Sequence, residues 1–290
     1  MGNTPVVDIT HVVAGHIPRG ITVLAKLEKF NPGGSSKDRA VLMMLRDALR
    51  RGLLEGRTVV EASSGNTGVA LAMMGAALSL NVLLLIPDTP QASAKVRLAR
   101  EFGARVLLTP EREGTEGARR RAERLASEFP ERYYHLNQYD NPANLEAHYL
   151  TTGPEIWEQT GGEITHFVAG VGTGGTVSGT SKFLKERNPR IRTFGVQPAT
   201  PETRIPGLKH IPTSSKPANY RPELLDGVLG VGEEEAHIWR ERLSRVGLLV
   251  GPSSGAVLAA VVSLARTLAS EAVIVALLPD GGERYLQEES

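Results

Sequence analysis

The sequence predicts an α/β protein made of two doubly wound open-sheet domains. Three observations predict it. The 290 residues correspond to about two domains at roughly 150 residues each. The strand candidates are apolar throughout rather than alternating, as in parallel strands covered on both faces. They also alternate along the chain with segments of helical period, the βαβ order of a parallel sheet.

The elements follow in order. A turn-rich segment over 31–39 places Lys37 at the start of a helix running to Arg51. Thr58-Val59-Val60 is a strand that leads through Ser63-Ser64-Gly65-Asn66 into a small-residue helix over 67–77. Residues 81–86 form a continuous apolar strand closed by Pro87-Asp88, and 91–102 has helical spacing that stops at Gly103. A strand over 105–108, a charged helix over 117–129 and a strand over 133–136 follow. The domain seam is expected near 140–148, where Asn141-Pro142 opens a new helix. Beyond it lie a strand over 164–169, a glycine cluster, a helix over 176–186 and a strand over 192–196. Helices over 233–246 and 254–268 and strands over 248–250 and 272–278 complete the set. No short repeat of fixed period interrupts this pattern, which excludes a solenoid.

Composition narrows the function classes. Lys and Arg number 33 against 32 Asp and Glu, whereas a dedicated nucleic-acid binder is visibly basic. The chain has no cysteine, so a disulfide framework, a cysteine nucleophile, thiolate zinc sites and iron–sulfur ligation are excluded. Its seven histidines show no H-E-x-x-H or similar spacing, and no metal site is expected. No G-x-S-x-G elbow supports a serine hydrolase. The apolar stretches are too short to span a bilayer, and the N-terminal residues do not read as a signal peptide. The expected placement is cytoplasmic, with neither nucleic acid nor membrane as partner. Met43-Met44 and Met73-Met74 fall in helical apolar patterns and read as core.

Ligands of open α/β sheets gather at the carboxyl ends of the strands, so the loops after strands carry the functional information. In Asn31-Pro32-Gly33-Gly34-Ser35-Ser36-Lys37-Asp38-Arg39, a lysine opens a helix, where a cation is electrostatically disfavoured. The segment lacks the spacing of a P-loop. Lys37 reads either as a surface lysine or as an amine of lowered pKa that forms a Schiff base. The second loop, Ser63-Ser64-Gly65-Asn66-Thr67-Gly68, gathers hydroxyls, an amide and backbone N–H groups. It reads either as a carboxylate site or as a helix-capping loop. The third, Gly170-Val171-Gly172-Thr173-Gly174-Gly175-Thr176, lets backbone approach a phosphate closely. It spells G-x-G-x-x-G, but Gln197, Pro198 and Ala199 follow the next strand, where a dinucleotide site carries an acid. In the fourth, Gly251-Pro252-Ser253-Ser254-Gly255, Ser253 either caps a helix or donates to a heteroaromatic nitrogen.

In this order, the four loops resemble the cysteine synthase (O-acetylserine sulfhydrylase) family of pyridoxal-phosphate enzymes, which has the fold type II, tryptophan synthase β-like architecture. The resemblance runs from Gly2-Asn3-Thr4-Pro5 to Glu283-Arg284-Tyr285-Leu286. Residues 148–176, and Ile205-Pro206-Gly207 with Lys209-His210, lean toward the cysteine synthase B branch. The resemblance implies a smaller, movable domain over 38–147 and a larger cofactor domain of 1–37 plus 148–290. It implies that Lys37 holds pyridoxal 5'-phosphate and acts as the base. Asn66 would bond the cofactor's phenolic oxygen, Gly172, Thr173, Gly174, Gly175 and Thr176 its phosphate, and Ser253 its pyridine nitrogen. Ser63, Ser64, Gly65 and Thr67 would bind the substrate carboxylate with Gln138 reaching it from the other side. Gly207 would sit on a domain-closing loop near the substrate amine.

The implied reaction is a β-replacement. O-acetyl-L-serine and sulfide, or thiosulfate, would give L-cysteine, or S-sulfocysteine, plus acetate, in a homodimer. Ser36 and Ser63 stand where relatives often carry Val and Thr, and Asp280 where they carry Ser or Cys. These departures bear on substrate rather than cofactor. Cystathionine β-synthase-type activity is the nearest alternative. An NADP-dependent dehydrogenase rests on the glycine fingerprint alone. A non-catalytic partner protein is disfavoured by the retained Lys37 and the complete phosphate loop.

Overall fold

A computed structural model describes residues 1–63, 65–269 and 271–286. The strands are β1 (Val6–Asp8), β2 (Ile21–Leu27), β3 (Thr58–Ala62), β4 (Val82–Pro87), β5 (Arg105–Thr109), β6 (Tyr133–His135), β7 (His166–Gly170), β8 (Arg192–Pro198), β9 (Gly227–Val231) and β10 (Ala272–Leu278). The α-helices are α1 (Thr10–Val13), α2 (Lys37–Arg50), α3 (Asn66–Ala77), α4 (Ser93–Glu101), α5 (Gly114–Glu128), α6 (Ala143–Ala147), α7 (Gly153–Gln159), α8 (Gly175–Arg187), α9 (Glu233–Arg245) and α10 (Pro252–Ala265). They form two compact units, Lys37–Asn144 and Met1–Ser36 with Leu145–Ser290.

The smaller unit is a parallel sheet in the order β5-β4-β3-β6. Every residue of β4 is buried, because both faces are covered. Leu84 and Ile86 pack with Val41, Met44 and Leu71 of α2 and α3. Leu83 and Leu85 point the other way, toward Ala118 and Ala122 of α5, whose small side chains admit the helix closely. Met44 and Met74 are buried as the helical pattern requires.

The larger unit is a sheet in the order β1-β2-β10-β7-β8-β9. Only β1 runs antiparallel, against β2. Its central strand shows the period-two rule. Ile274, Ala276 and Leu278 join the core under α10, and Val275 and Leu277 join Ile156, Val177 and Leu184 of α7 and α8. Fully burying each such side chain stabilises by about 1.5–3 kcal/mol.

The structure departs from the sequence reading in physically explicable places. Residues 248–250 are not a strand. Leu248 N–H instead turns back to Leu243 O at 2.9 Å to close α9, with Gly247 at φ +83°. This is the glycine-terminated helix end of a Schellman turn. Val250 forms only an isolated bridge to Gly281. The segment 91–102 divides into a 3-10 turn (Pro90–Ala92) and α4. Strand β2 escapes sequence reading because Lys26 breaks its apolar run. That lysine is fully buried and bonds Thr4 O, Glu155 Oε2 and Gln159 Oε1, each at 2.7 Å.

Candidate active site

In the smaller unit the polar loops converge beyond the carboxyl ends of β3 and β6. These strands are parallel neighbours, with Thr58 opposite Tyr133. The chain leaving β3 therefore meets the chain leaving β6. Ser63 is buried, and its Oγ accepts the N–H groups of Gly65 and Gly68, both at 3.1 Å. Ser63 thus caps α3 from inside the loop, the capping role left open in the sequence. Ser64 lies outside the described residues. Gly65 precedes the helix, and Asn66 is its first residue, half-buried.

Thr67 donates its hydroxyl to Gln138 Oε1 at 2.6 Å. Gln138 Nε2 donates to Ala62 O at 3.1 Å and Glu61 Oε1 at 3.3 Å, and its backbone N–H donates to Glu61 Oε2 at 3.2 Å. Asn144 Nδ2 secures the Gln138 carbonyl at 2.7 Å. Both amide hydrogens of Gln138 thus meet protein acceptors. Burial pushes the Glu61 carboxyl up to about 7, against the donors that favour its ionised form. Burial, followed by the Glu61 charge, pushes Tyr139 up to about 12. Lys37 is the half-buried first residue of α2, followed by the buried Asp38 and Arg39.

In the larger unit the glycine loop runs from the end of β7 into α8. The first helical hydrogen bond is Ser178 N–H to Gly174 O at 3.0 Å. The N–H groups of Gly175, Thr176 and Val177 precede it and have no carbonyl of their own turn to meet. Its N-cap residue, Gly174, has no side chain, and no acid lies in its first turn. Gly174 has φ +86°, and a Cβ there would lie 2.5 Å from Tyr220 Cα. A Cβ on Gly172 would lie 2.6 Å from Gly207 O, and one on Gly207 would lie 3.8 Å from Ser253 Oγ. The structure therefore brings Gly172, Gly207 and Ser253 together. Lys209 N–H ties the same segment to Val171 O at 2.9 Å.

Thr176 Oγ1 pairs with His148 Nε2 at 3.0 Å, and His148 Nδ1 with Thr152 Oγ1 at 2.9 Å. His148 is fully buried on a π-helical turn (His148–Thr152). It is the functional neighbour that sequence reasoning missed. Only its i,i+4 spacing to Thr152 hinted at it. Thr173 and Ser253 are both buried, and the Ser253 hydroxyl bonds no described residue. Asp280 follows β10, bridges Ser35 and accepts the Tyr285 hydroxyl at 2.5 Å.

Taken unit by unit, these groups suit the parts of a phosphorylated pyridine aldehyde. In the larger unit the start of α8 offers N–H donors and a positive helix end to a phosphate, and the buried Ser253 hydroxyl suits a ring nitrogen. In the smaller unit Lys37 is a primary amine of the kind that captures an aldehyde. A family model described as "Pyridoxal-phosphate dependent enzyme" matches residues 1–280. The chain belongs to this family. It is 50% identical over 291 residues to a cysteine synthase of Aquifex aeolicus, covering 99% of this chain and 89% of that protein. It is 43% identical over 288 residues to the cysteine synthase B of Pseudomonas aeruginosa, covering 99% and 94%. Among solved structures, the O-acetylserine-dependent cystathionine β-synthase from Helicobacter pylori matches with TM-score 0.89 and 35% identity, over 99% of this chain and 95% of that one. As a member of the pyridoxal-phosphate-dependent enzymes, the protein is an enzyme with pyridoxal phosphate as its cofactor. With pyridoxal phosphate as the cofactor, the dinucleotide alternative falls away. No described helix is long and apolar enough to cross a membrane.

Proposed function

We propose that the protein is a cysteine synthase that exchanges the acetate of O-acetyl-L-serine for sulfide, giving L-cysteine. The observation that carries the reaction type is the buried Ser253 hydroxyl, which has no hydrogen-bond partner among the described residues. A neutral hydroxyl at the ring nitrogen leaves the cofactor a modest electron sink. This favours prompt loss of a β-leaving group over prolonged carbanion chemistry. The cysteine synthases among its relatives support the substrate.

When bound, pyridoxal phosphate supplies an aldehyde that captures amines and a ring that spreads negative charge from the α-carbon. The chain's own residues do the rest. Gly172, Thr173, Gly174, Gly175 and Thr176 hold the phosphate, and His148 orients the Thr176 hydroxyl. Asn66 and Ser253 orient the ring. The loop carrying Ser63, Ser64, Gly65 and Thr67, stiffened by Gln138, orients the α-carboxylate, and Gly207 leaves room near the substrate amine. Lys37 Nζ anchors the cofactor, takes the α-proton as base and returns it to the product. The carbon–oxygen bond to acetate breaks and a carbon–sulfur bond to sulfide forms at the β-carbon. Residues 38–147 would move as the smaller domain and exclude water once a carboxylate is bound. Lys209 and His210 follow Gly207 in the sequence and suit an anionic donor such as thiosulfate. We place the enzyme in the cytoplasm as a homodimer, and sedimentation of the holoenzyme tests the latter.

The purified protein should be yellow, and its visible band should shift on adding O-acetyl-L-serine without sulfide. A colourless protein that cannot be reconstituted with pyridoxal phosphate would overturn the reading. In Lys37→Ala, turnover should disappear while the circular dichroism stays unchanged. The likeness to an O-acetylserine-dependent cystathionine β-synthase favours a second reading, in which a larger thiol replaces sulfide. Competition between sulfide, thiosulfate and homocysteine for one pool of O-acetylserine decides between them.

A further inference from the structure

Glu61 is a buried acid for which the reaction has no use. It lies next to last on β3, is 1% exposed, and shares its face with Val59 beneath α2 and α3. An apolar residue there would continue the strand pattern, so the carboxyl group carries a desolvation cost that packing does not require. Its hydrogen-bond partners are all donors. Oε1 accepts from Ala62 N–H at 3.1 Å and Gln138 Nε2 at 3.3 Å, and Oε2 accepts from Gln138 N–H at 3.2 Å.

The amide of Gln138 is thereby oriented. With Nε2 turned to Glu61 and Ala62 O, Oε1 is left for Thr67, whose hydroxyl donates to it at 2.6 Å. We propose that Glu61 is a positioning residue for the amino-acid substrate, holding Gln138 and through it Thr67 in the geometry that receives the substrate carboxylate. The proposal rests on the reading of residues 63–67 as the carboxylate loop.

The ionised carboxylate makes this clamp, because it can accept at both oxygens. A proton on Glu61 would face only donors and release Gln138. Burial brings its titration to about 7. The elements of this sheet carry other ionisable groups. β4 and α3 contribute none. α2 carries the buried Asp38 and Arg39. β6 and the following loop carry Tyr134, His135, Tyr139, which feels the Glu61 charge, and Asp140. α5, which carries Glu116 and Arg119, packs on the opposite face with Val60 and Ala62. Tyr134 and Tyr139 are both shifted upward by burial and stay neutral below pH 9. The removal of the carboxyl in E61Q separates Glu61 from the rest.

The experiment is a double-mutant cycle of E61Q and T67V on the holoenzyme. It reads KM and kcat for O-acetyl-L-serine from pH 6 to 8, and the affinity for unreactive L-alanine from the visible band. E61Q should raise KM and the L-alanine Kd about tenfold, the size of one hydrogen bond to a charged group, with kcat changed far less. The wild-type KM should rise as pH falls through about 7, and this inflection should vanish in E61Q. In the T67V background E61Q should add little, since the two act in series. A raised KM in T67V with an unchanged KM in E61Q overturns the proposal alone. An unchanged KM in T67V overturns the loop reading and the proposal with it. If E61Q fails to fold, hydrogen exchange on the wild type replaces it. The Gln138 and Ala62 amides should be less protected, relative to their intrinsic exchange rates, at pH 6 than at pH 8, and equal protection overturns the clamp.

Discussion

Helices α3 and α8 both start at the carboxyl end of a parallel strand, and their first turns are finished in opposite ways. The first turn of α3 is closed by its own loop, with Ser63 Oγ accepting from Gly65 and Gly68. That of α8 starts at Gly174, which has no side chain to cap with, and glycines stand where a side chain would obstruct it. The difference matches the tenants proposed for the two loops. A phosphate held through every turnover can be part of the structure and supply acceptors to the first turn of α8. A substrate carboxylate comes and goes, so α3 must be satisfied without it. Its loop spends backbone donors on Ser63 and is held by the Glu61–Gln138–Thr67 chain.

The comparison breaks most severely at Gly174. In Gly174→Ala the new Cβ would meet Tyr220 Cα at 2.5 Å and occupy a residue at φ +86°. Strain of this kind costs of order 1–3 kcal/mol, and the loop must move off the phosphate to relieve it. The variant should purify colourless, and inorganic phosphate should no longer raise the Tm of the apo form. Retained yellow colour at ordinary cofactor concentrations would show that α8 does not need its glycine cradle.

Ser63→Ala should act on the other side of the contrast. It strips two N–H groups of their acceptor, one of them buried. The cost should be about 2 kcal/mol, or roughly 4–8 °C in Tm. That loss should be equal with and without phosphate, because α3 owes nothing to the cofactor. A Tm deficit that phosphate repairs would erase the distinction. Thr176→Val is milder. It removes one hydroxyl from the phosphate loop and from His148 Nε2, and should weaken cofactor binding by about tenfold, measured by dialysis against pyridoxal phosphate.

Much of this contrast was readable from the sequence, because it is local. Four glycines in seven residues after an apolar strand announce a backbone cradle, and Ser63 three residues before the start of α3 announces a cap. Long-range polar contacts were not readable. Nothing in the spacing of Glu61, Thr67 and Gln138 joins them, since the parallel pairing of β3 with β6 does so. His148 read as an idle histidine because a π-helical turn has no sequence signature comparable to a helical period. β9 was hidden by its two glycines, and β2 by a lysine whose charge is met by Glu155 from the far end of the chain's middle third.

The weakest effect distinguishes the two regions by their response to pH. Burial raises Glu61 from 4.5 to about 7 and lowers His135 from 6.5 to about 4, and both lie in the unit of α3. For Glu61 the folded state binds the extra proton between those values, so its contribution to stability falls as pH rises from 4.5 to about 7. For His135 the unfolded state binds the extra proton, so its contribution rises as pH rises from about 4 to 6.5. The two slopes oppose each other across nearly the same window, although each group alone could change stability by roughly 3 kcal/mol. Urea unfolding of the wild type should therefore vary little from pH 4.5 to 6.5 on their account. E61Q should uncover a rising slope, and His135→Asn a falling one. Parallel slopes in the two variants would refute the compensation.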